Sequence, residues 1–185
     1  MAAAVIAAVR VIVIGTSGAG KSTFAKALAA SQGSRYVELD DLFWAEGWTP
    51  KPQGEFIELT RLAAQGERWV MDGNYSVVRE TVWPRATHVV WLNYPRSTVL
   101  MRVLRRTVWR VLSRRPLWHG NRETVGRAFF SRQSILVWAA STYDKNRHRY
   151  AQLRADQQYA HLVWTELRHP RDAVAYLRQQ ARGGG

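Results

Sequence analysis

Residues Gly15-Thr16-Ser17-Gly18-Ala19-Gly20-Lys21-Ser22 put a lysine and a hydroxyl at the end of a glycine-rich loop. The spacing G-x-x-x-x-G-K-S is the P-loop pattern. Small residues let such a loop turn its backbone N–H groups inward around a phosphate. Lys21 can reach the β- and γ-phosphates of a nucleoside triphosphate, and the Ser22 hydroxyl can ligate Mg²⁺. From Thr23 an Ala-rich, helix-forming stretch follows, and its positive N-terminal end points at the same phosphate. Gly15–Thr23 is therefore a candidate triphosphate site.

Two acidic positions could complete the chemistry. Asp72 ends an apolar run and precedes Gly73. In P-loop proteins an acid at a strand end holds Mg²⁺, directly or through water; the alternative is ordinary Asp-Gly turn chemistry. Asp40 and Asp41 close a second run, with Asp40 favoured to point inward. It can take a proton from an acceptor hydroxyl, bind Mg²⁺ through water, or hydrogen-bond an acceptor. It can also simply cap the next segment. Trp44, Trp48 and Tyr75 flank these acids and could stack on a planar ligand, with Asn74 beside them as a further acceptor contact. With nine Trp in the chain, core packing is the competing reading.

Elements that would position these groups alternate along the chain. Five β-like runs, Val9–Ile14, Tyr36–Asp40, Arg68–Asp72, Thr87–Asn93 and His161–Leu167, are separated by helical patterns. Alternation of this kind predicts a parallel α/β sheet with ligands at the carboxyl ends of its strands. Helices are expected over Thr23–Ser31, 53–65, Val77–Val82, Ser97–Leu112, Glu123–Ala155 with an interruption, and from His169-Pro170 to Arg182. In the helix 97–112, Leu100, Val103, Leu104, Val108 and Val111 are expected on one face. Arg102, Arg105, Arg106 and Arg110 are expected opposite. Arginines closing over a moving phosphate stabilise its charge. Arg102 and Arg106, one turn apart, suit a nucleotide. Arg114, Arg115, Arg122, Arg127 and Arg132 fall in a breaker-rich stretch that reads as a lid over 113–135. A solvated basic face is the alternative for any one of them. Residues 1–182 read as one domain, with 183–185 a disordered tail.

Composition sets bounds. Lys and Arg number 27 against 14 Asp and Glu, for a net charge of +13. Between Arg96 and Arg154 there are 14 basic residues and two acids, a field suited to a polyanion. The chain has no cysteine, which excludes disulfides and thiolate zinc sites and fits a cytoplasmic protein. The apolar start is not expected to be a leader, because Arg10 interrupts it and the P-loop needs the strand. No apolar run is long enough to span a bilayer. The five histidines show no metal-ligand spacing.

These segments together resemble a family. GTSGAGKST, ELDDLFW with GWTP, WVMDGNYS, VVWLNYP, GNRE and FFSR are similar to the P-loop kinase-like proteins of the FlaR-type DNA topology modulation family, laid out like adenylate kinases. The resemblance covers about residues 9–150. It implies a five-stranded parallel sheet of order 2-3-1-4-5 in a three-layer α/β/α fold with a helical lid. It also implies ATP at Gly15–Thr23 with Mg²⁺, Arg102 on the adenine, Arg106 on phosphate, and Arg168–Pro170 bordering the adenine. One departure is clear: adenylate kinases carry D-G-F-P-R at the third strand, where this chain has Asp72-Gly73-Asn74-Tyr75-Ser76. The arginine that binds a nucleotide acceptor is thus missing. The expected function is γ-phosphoryl transfer from ATP·Mg to an unidentified small-molecule acceptor. Lys21, Asp40, Arg106, Arg122 and Arg132 are the catalytic candidates. The alternatives are a nucleic-acid-binding ATPase that uses the basic stretch with Trp109, Trp118 and Trp138, and an ATP-dependent switch. A GTPase is disfavoured because no N/T-K-x-D motif occurs.

Overall fold

The computed structural model of the chain describes residues 8–113 and 135–183. Five strands form one parallel sheet: β1 (Val9–Gly15), β2 (Arg35–Glu38), β3 (Arg68–Asp72), β4 (His88–Leu92) and β5 (Val163–Leu167). Their order is β2-β3-β1-β4-β5, the order the family resemblance implied. The central strands are near-continuous apolar runs because both of their faces are covered. Along β1 the side chains alternate. Ile12 and Ile14 enter one core with Phe56, Trp69, Met71 and Tyr150, while Val11 and Val13 enter the other with Phe24, Leu28, Val90 and Val103. Each such fully buried aliphatic side chain contributes about 1.5–3 kcal/mol.

Helices cover both faces: α1 (Lys21–Gln32), α2 (Leu39–Phe43), α3 (Gln53–Ala63), α4 (Arg79–Val82), α5 (Arg96–Ser113), α6 (Ile135–Ala155) and α7 (Pro170–Gly183). In α3, Phe56, Thr60 and Ala63 are buried at the helical spacing. In α1, Phe24, Ala25, Leu28 and Ala29 do the same.

Three expectations change. Asp40 does not end a strand. β2 stops at Glu38, and Leu39 starts a short helix that carries Asp40 and Asp41 through a turn. A buried Leu39 and the Trp44 N–H bond to the Asp40 carbonyl (3.0 Å) favour the turn over extension. The apolar stripe of α5 is also rotated. Val99 and Val103 are buried, whereas Leu104 (39% exposed) and Val108 (41%) face outward with Met101. The helix packs on the P-loop, so the residues that matter are those turned to that loop rather than the most apolar set. Gly183, expected in the tail, ends α7. The expected lid falls outside the described residues except for Ser113 and Ile135. Arg122 and Arg132 lie outside them too, as do Gly184 and Gly185.

Gly18 shows how tight the contact between α5 and the loop is. Its φ is +84°, and a Cβ there would sit 2.1 Å from Val103 Cγ2 and 3.1 Å from the Val99 carbonyl. Gly18 is therefore required by packing against α5 as well as by the loop's turn. Gly18→Ala is expected to destabilise the chain by about 2–4 kcal/mol, combining left-handed strain with overpacking. In a Val103→Ala background the same change should cost less, as read by urea unfolding of the four proteins. Equal costs in both backgrounds would contradict this packing.

Candidate functional site

The parallel register brings Gly15, Glu38 and Asp72 to one edge of the sheet. Val13 pairs with Asp72, and Glu38 pairs with Asp72 from the other side. At this edge the chain leaves β1 through the loop Thr16–Gly20 and enters α1 at Lys21. The first turn of α1 has no side-chain cap and no acid, so its N–H groups and the positive end of its dipole are turned to the space in front of the loop. Lys21 is half-buried, and its Nζ donates to the Thr16 carbonyl at 3.3 Å. Desolvation lowers its pKa, and Arg106 does so further, against the attraction of Asp72, Asp40 and Glu38. A partly desolvated ammonium at the mouth of a ring of N–H donors fits a polyanionic phosphate.

Asp72 lies behind this loop at 3% exposure. Its Oδ2 accepts from Ser22 Oγ (2.8 Å) and its Oδ1 from Tyr36 Oη (2.9 Å). Burial raises its pKa to about 6, although Ser22, Lys21 and Tyr36 each pull the other way. Burial also lifts the Tyr36 phenol well above its ordinary range, so it stays a donor. Tyr36 is a partner that sequence reasoning missed. Only the β2–β3 register, which sets Tyr36 against Val70 two places before Asp72, brings it close. Among the described residues no three acids or histidines converge on a metal position. One carboxylate beside one hydroxyl is nonetheless a fitting protein contribution to Mg²⁺, which keeps waters and takes phosphate oxygens for the rest.

A single cleft of ≈ 1040 Å³ opens in front of the loop. Its floor is Ser17–Thr23. Glu38, Asp40 and Asp41 form one wall, and Arg102 and Arg106 of α5 form another. Pro170, Ala173, Val174 and Leu177 of α7, with Phe24 and Tyr94, give an apolar end suited to a planar base. Arg102 Nη1 donates to the Ala19 carbonyl (2.9 Å), and its guanidinium lies 5.0 Å from the centre of the Tyr94 ring. Tyr143 Oη bonds the Tyr94 carbonyl (2.7 Å), tying α6 to this end. Tyr94 and the α7 wall were not singled out from the sequence. Pro170 was, and it lines the cleft as expected.

The remaining expected residues sit behind the cleft or beside it. Arg168 is exposed, pairs with Glu166 (3.1 Å) and is not among the residues lining the cleft. Asn74 Nδ2 donates to the Gly15 carbonyl (2.6 Å), bracing the loop from behind. Tyr75 Oη donates to Asp40 Oδ1 (2.6 Å). Trp44 and Trp48 meet edge to face at 5.6 Å, and Phe43 packs on both Trp44 and Tyr75. Trp44, Trp48, Asn74 and Tyr75 do not line the cleft among the described residues; they form the aromatic and amide backing of Asp40 and Gly15.

The raised carboxyl of Asp72 has a consequence for stability. Below about pH 4 the group is protonated both folded and unfolded and contributes nothing. Between pH 4 and 6 the unfolded chain ionises it while the folded chain does not, so stability falls as pH rises, by up to about 3 kcal/mol. Asp72→Asn cannot ionise and keeps an acceptor. In magnesium-free buffer its stability relative to the natural sequence is expected to rise from pH 4 to 7 in urea titrations. A difference that stays flat or falls would contradict the burial cost.

Comparison with known proteins agrees on the fold. A gluconokinase from Sinorhizobium meliloti 1021 superimposes with a TM-score of 0.51 over 95% of this chain and 95% of its own, at 20% sequence identity. No protein-family model matches the sequence, and none of the curated proteins does. None of the described helices is long and apolar enough to cross a membrane. The chain has a P-loop kinase-type fold: a five-stranded parallel sheet of order 2-3-1-4-5 with helices on both faces.

Proposed function

We propose that this protein is an ATP-dependent phosphotransferase acting on a small hydroxyl-bearing acceptor. One observation carries the reading: Lys21 and the P-loop face the same cleft as the carboxylate of Asp40. A donor phosphate and an acceptor hydroxyl would therefore share one cleft. The base of the nucleotide would lie against Pro170, Ala173 and Arg102. Its phosphates would lie along Gly18–Thr23, with Lys21 and Arg106 offsetting their charge. Ser22 and Asp72 would hold Mg²⁺, which screens the phosphate oxygens when bound. Asp40 would take the proton of the acceptor hydroxyl. The acceptor oxygen would bond to the γ-phosphorus as the bond to the bridging oxygen breaks, and that electron pair would leave with ADP. The likeness of ELDDLFW and DGNY to FlaR-type proteins is compatible with this reading. Residues 1–182 would act as a single unit, with Arg122 and Arg132 of the 113–135 segment adding charge around the γ-phosphate.

The acceptor wall favours a hydroxyl compound over a nucleoside monophosphate. Its groups are Glu38, Asp40 and Asp41, and Ser76 stands where nucleotide kinases carry an arginine. Gluconate belongs in the first panel because a solved structure sharing the fold is a gluconokinase. With coupled ADP release over gluconate, sugars, nucleosides and nucleoside monophosphates, at least one hydroxyl acceptor should raise turnover above the rate with water. Lys21→Ala should lose MgATP binding. Asp40→Asn should keep MgATP binding within about threefold and lose on the order of 100-fold in turnover. Asp40→Asn with wild-type turnover would contradict the assignment.

A second reading has its own observation. Arg105 and Trp109 are exposed on the outer side of α5, away from the cleft, where a phosphate backbone and a base could meet them. On that reading, salt-sensitive binding of single-stranded DNA survives Lys21→Ala and alters ATP hydrolysis in the natural protein. DNA that binds only at low salt without changing hydrolysis would dismiss it.

A further inference from the structure

Asp40 is backed by a hydrogen bond to one of its two oxygens. Tyr75 Oη donates to Asp40 Oδ1 at 2.6 Å. Trp44 backs the same tyrosine through the Phe43 ring, which packs on both. Neither ring is loose. Tyr75 packs at 4.7 Å on Phe43 and 5.1 Å on Phe56, and Trp44 meets Phe43 edge to face at 4.8 Å. Burial keeps the Tyr75 phenol far above its ordinary range, so it remains a donor across neutral pH. The backbone is fixed as well. A Cβ on Gly73 would stand 2.7 Å from that of Leu39, so the end of β3 presses on the turn that carries Asp40.

We propose that Tyr75, held by the Phe43 and Phe56 rings, is a positioning residue for Asp40: its hydroxyl occupies Oδ1 and leaves Oδ2 as the oxygen that meets the acceptor hydroxyl. This rests on the role given to Asp40 above. Residues whose sequence context suggested stacking on an acceptor then act on it only through Asp40. Asp72-Gly73-Asn74-Tyr75 is spent on internal contacts to Ser22, Leu39, Gly15 and Asp40 in turn, which lock the donor loop and the acceptor turn in one register. Orientation of a reacting group within a fraction of an ångström is worth much of a rate enhancement, so loss of one such bond is felt in turnover rather than in binding.

Tyr75→Phe keeps the ring and removes only the hydroxyl. Two measurements test the proposal. In ¹³C spectra the carboxylate resonance of Asp40, assigned through Asp40→Asn, should shift in Tyr75→Phe. With MgATP and water as acceptor, Tyr75→Phe should lower kcat about tenfold and leave KM for MgATP unchanged. In an Asp40→Asn background the same substitution should have no further effect. An unmoved Asp40 resonance overturns the bond. An equal loss in both backgrounds, or a loss expressed in KM for MgATP, overturns positioning through Asp40. A natural protein that binds MgATP and turns over nothing in the acceptor panel overturns the phosphotransfer reading, and this role of Asp40 with it.

Discussion

A buried carboxylate holds this architecture's working edge together. Asp72 sits at the end of β3, almost without solvent, and accepts hydrogen bonds from Ser22 on α1 and Tyr36 on β2. Two neighbouring strands and the helix that follows the loop are thus fixed to one another where the strands end. The position is costly for a charge, as its raised pKa shows. A hydrophobic residue there would remove that cost, but it would leave the Ser22 and Tyr36 hydroxyls without this acceptor and the loop without its anchor. A cation bound beside Asp72 and Ser22 would turn the same cost into affinity.

From that anchor the rest follows in sequence order. Asp72 fixes the start of α1, and hence Lys21 and the N–H groups of the loop. Gly73 lets β3 approach Leu39, Asn74 bonds the Gly15 carbonyl, and Tyr75 reaches Asp40. Four consecutive residues thereby set the distance between the two sides of the cleft. On the far side, Val99 and Val103 press α5 onto the loop and bring Arg102 and Arg106 to its rim. The basic character that stands out in the composition is, at these two positions, directed at the same point as Lys21.

Much of this was legible in the sequence because the relevant signals are local. The P-loop spacing, the apolar strands and the alternation with helices each rest on neighbours in the chain, and together they point to a parallel sheet; its order came from the family resemblance. The place of Asp72 at the end of its strand was legible for the same reason. What was not legible depends on contacts between distant residues. The rotation of α5 is set by its seat on the loop, so Leu104 and Val108 face outward although their spacing suits a core. The short helix at Leu39–Phe43 overrides the extended reading of Glu38–Asp40, since Leu39 finds its burial by turning under Gly73. Aromatic residues near an acid look alike whether they stack on a ligand or support the acid. Only the Tyr75–Asp40 bond and the Phe43 packing separate the two cases.

The account's central claim is that phosphate and acceptor meet between Lys21 and Asp40. A crystal structure with MgADP and aluminium fluoride, which mimics a phosphoryl group in flight, tests it most directly. The account predicts the fluoride between Lys21 and Asp40, the metal on the side of Ser22 and Asp72, and the base against Pro170. A nucleotide whose phosphates lie away from Lys21, or a fluoride with Asp40 turned out of reach, would contradict it.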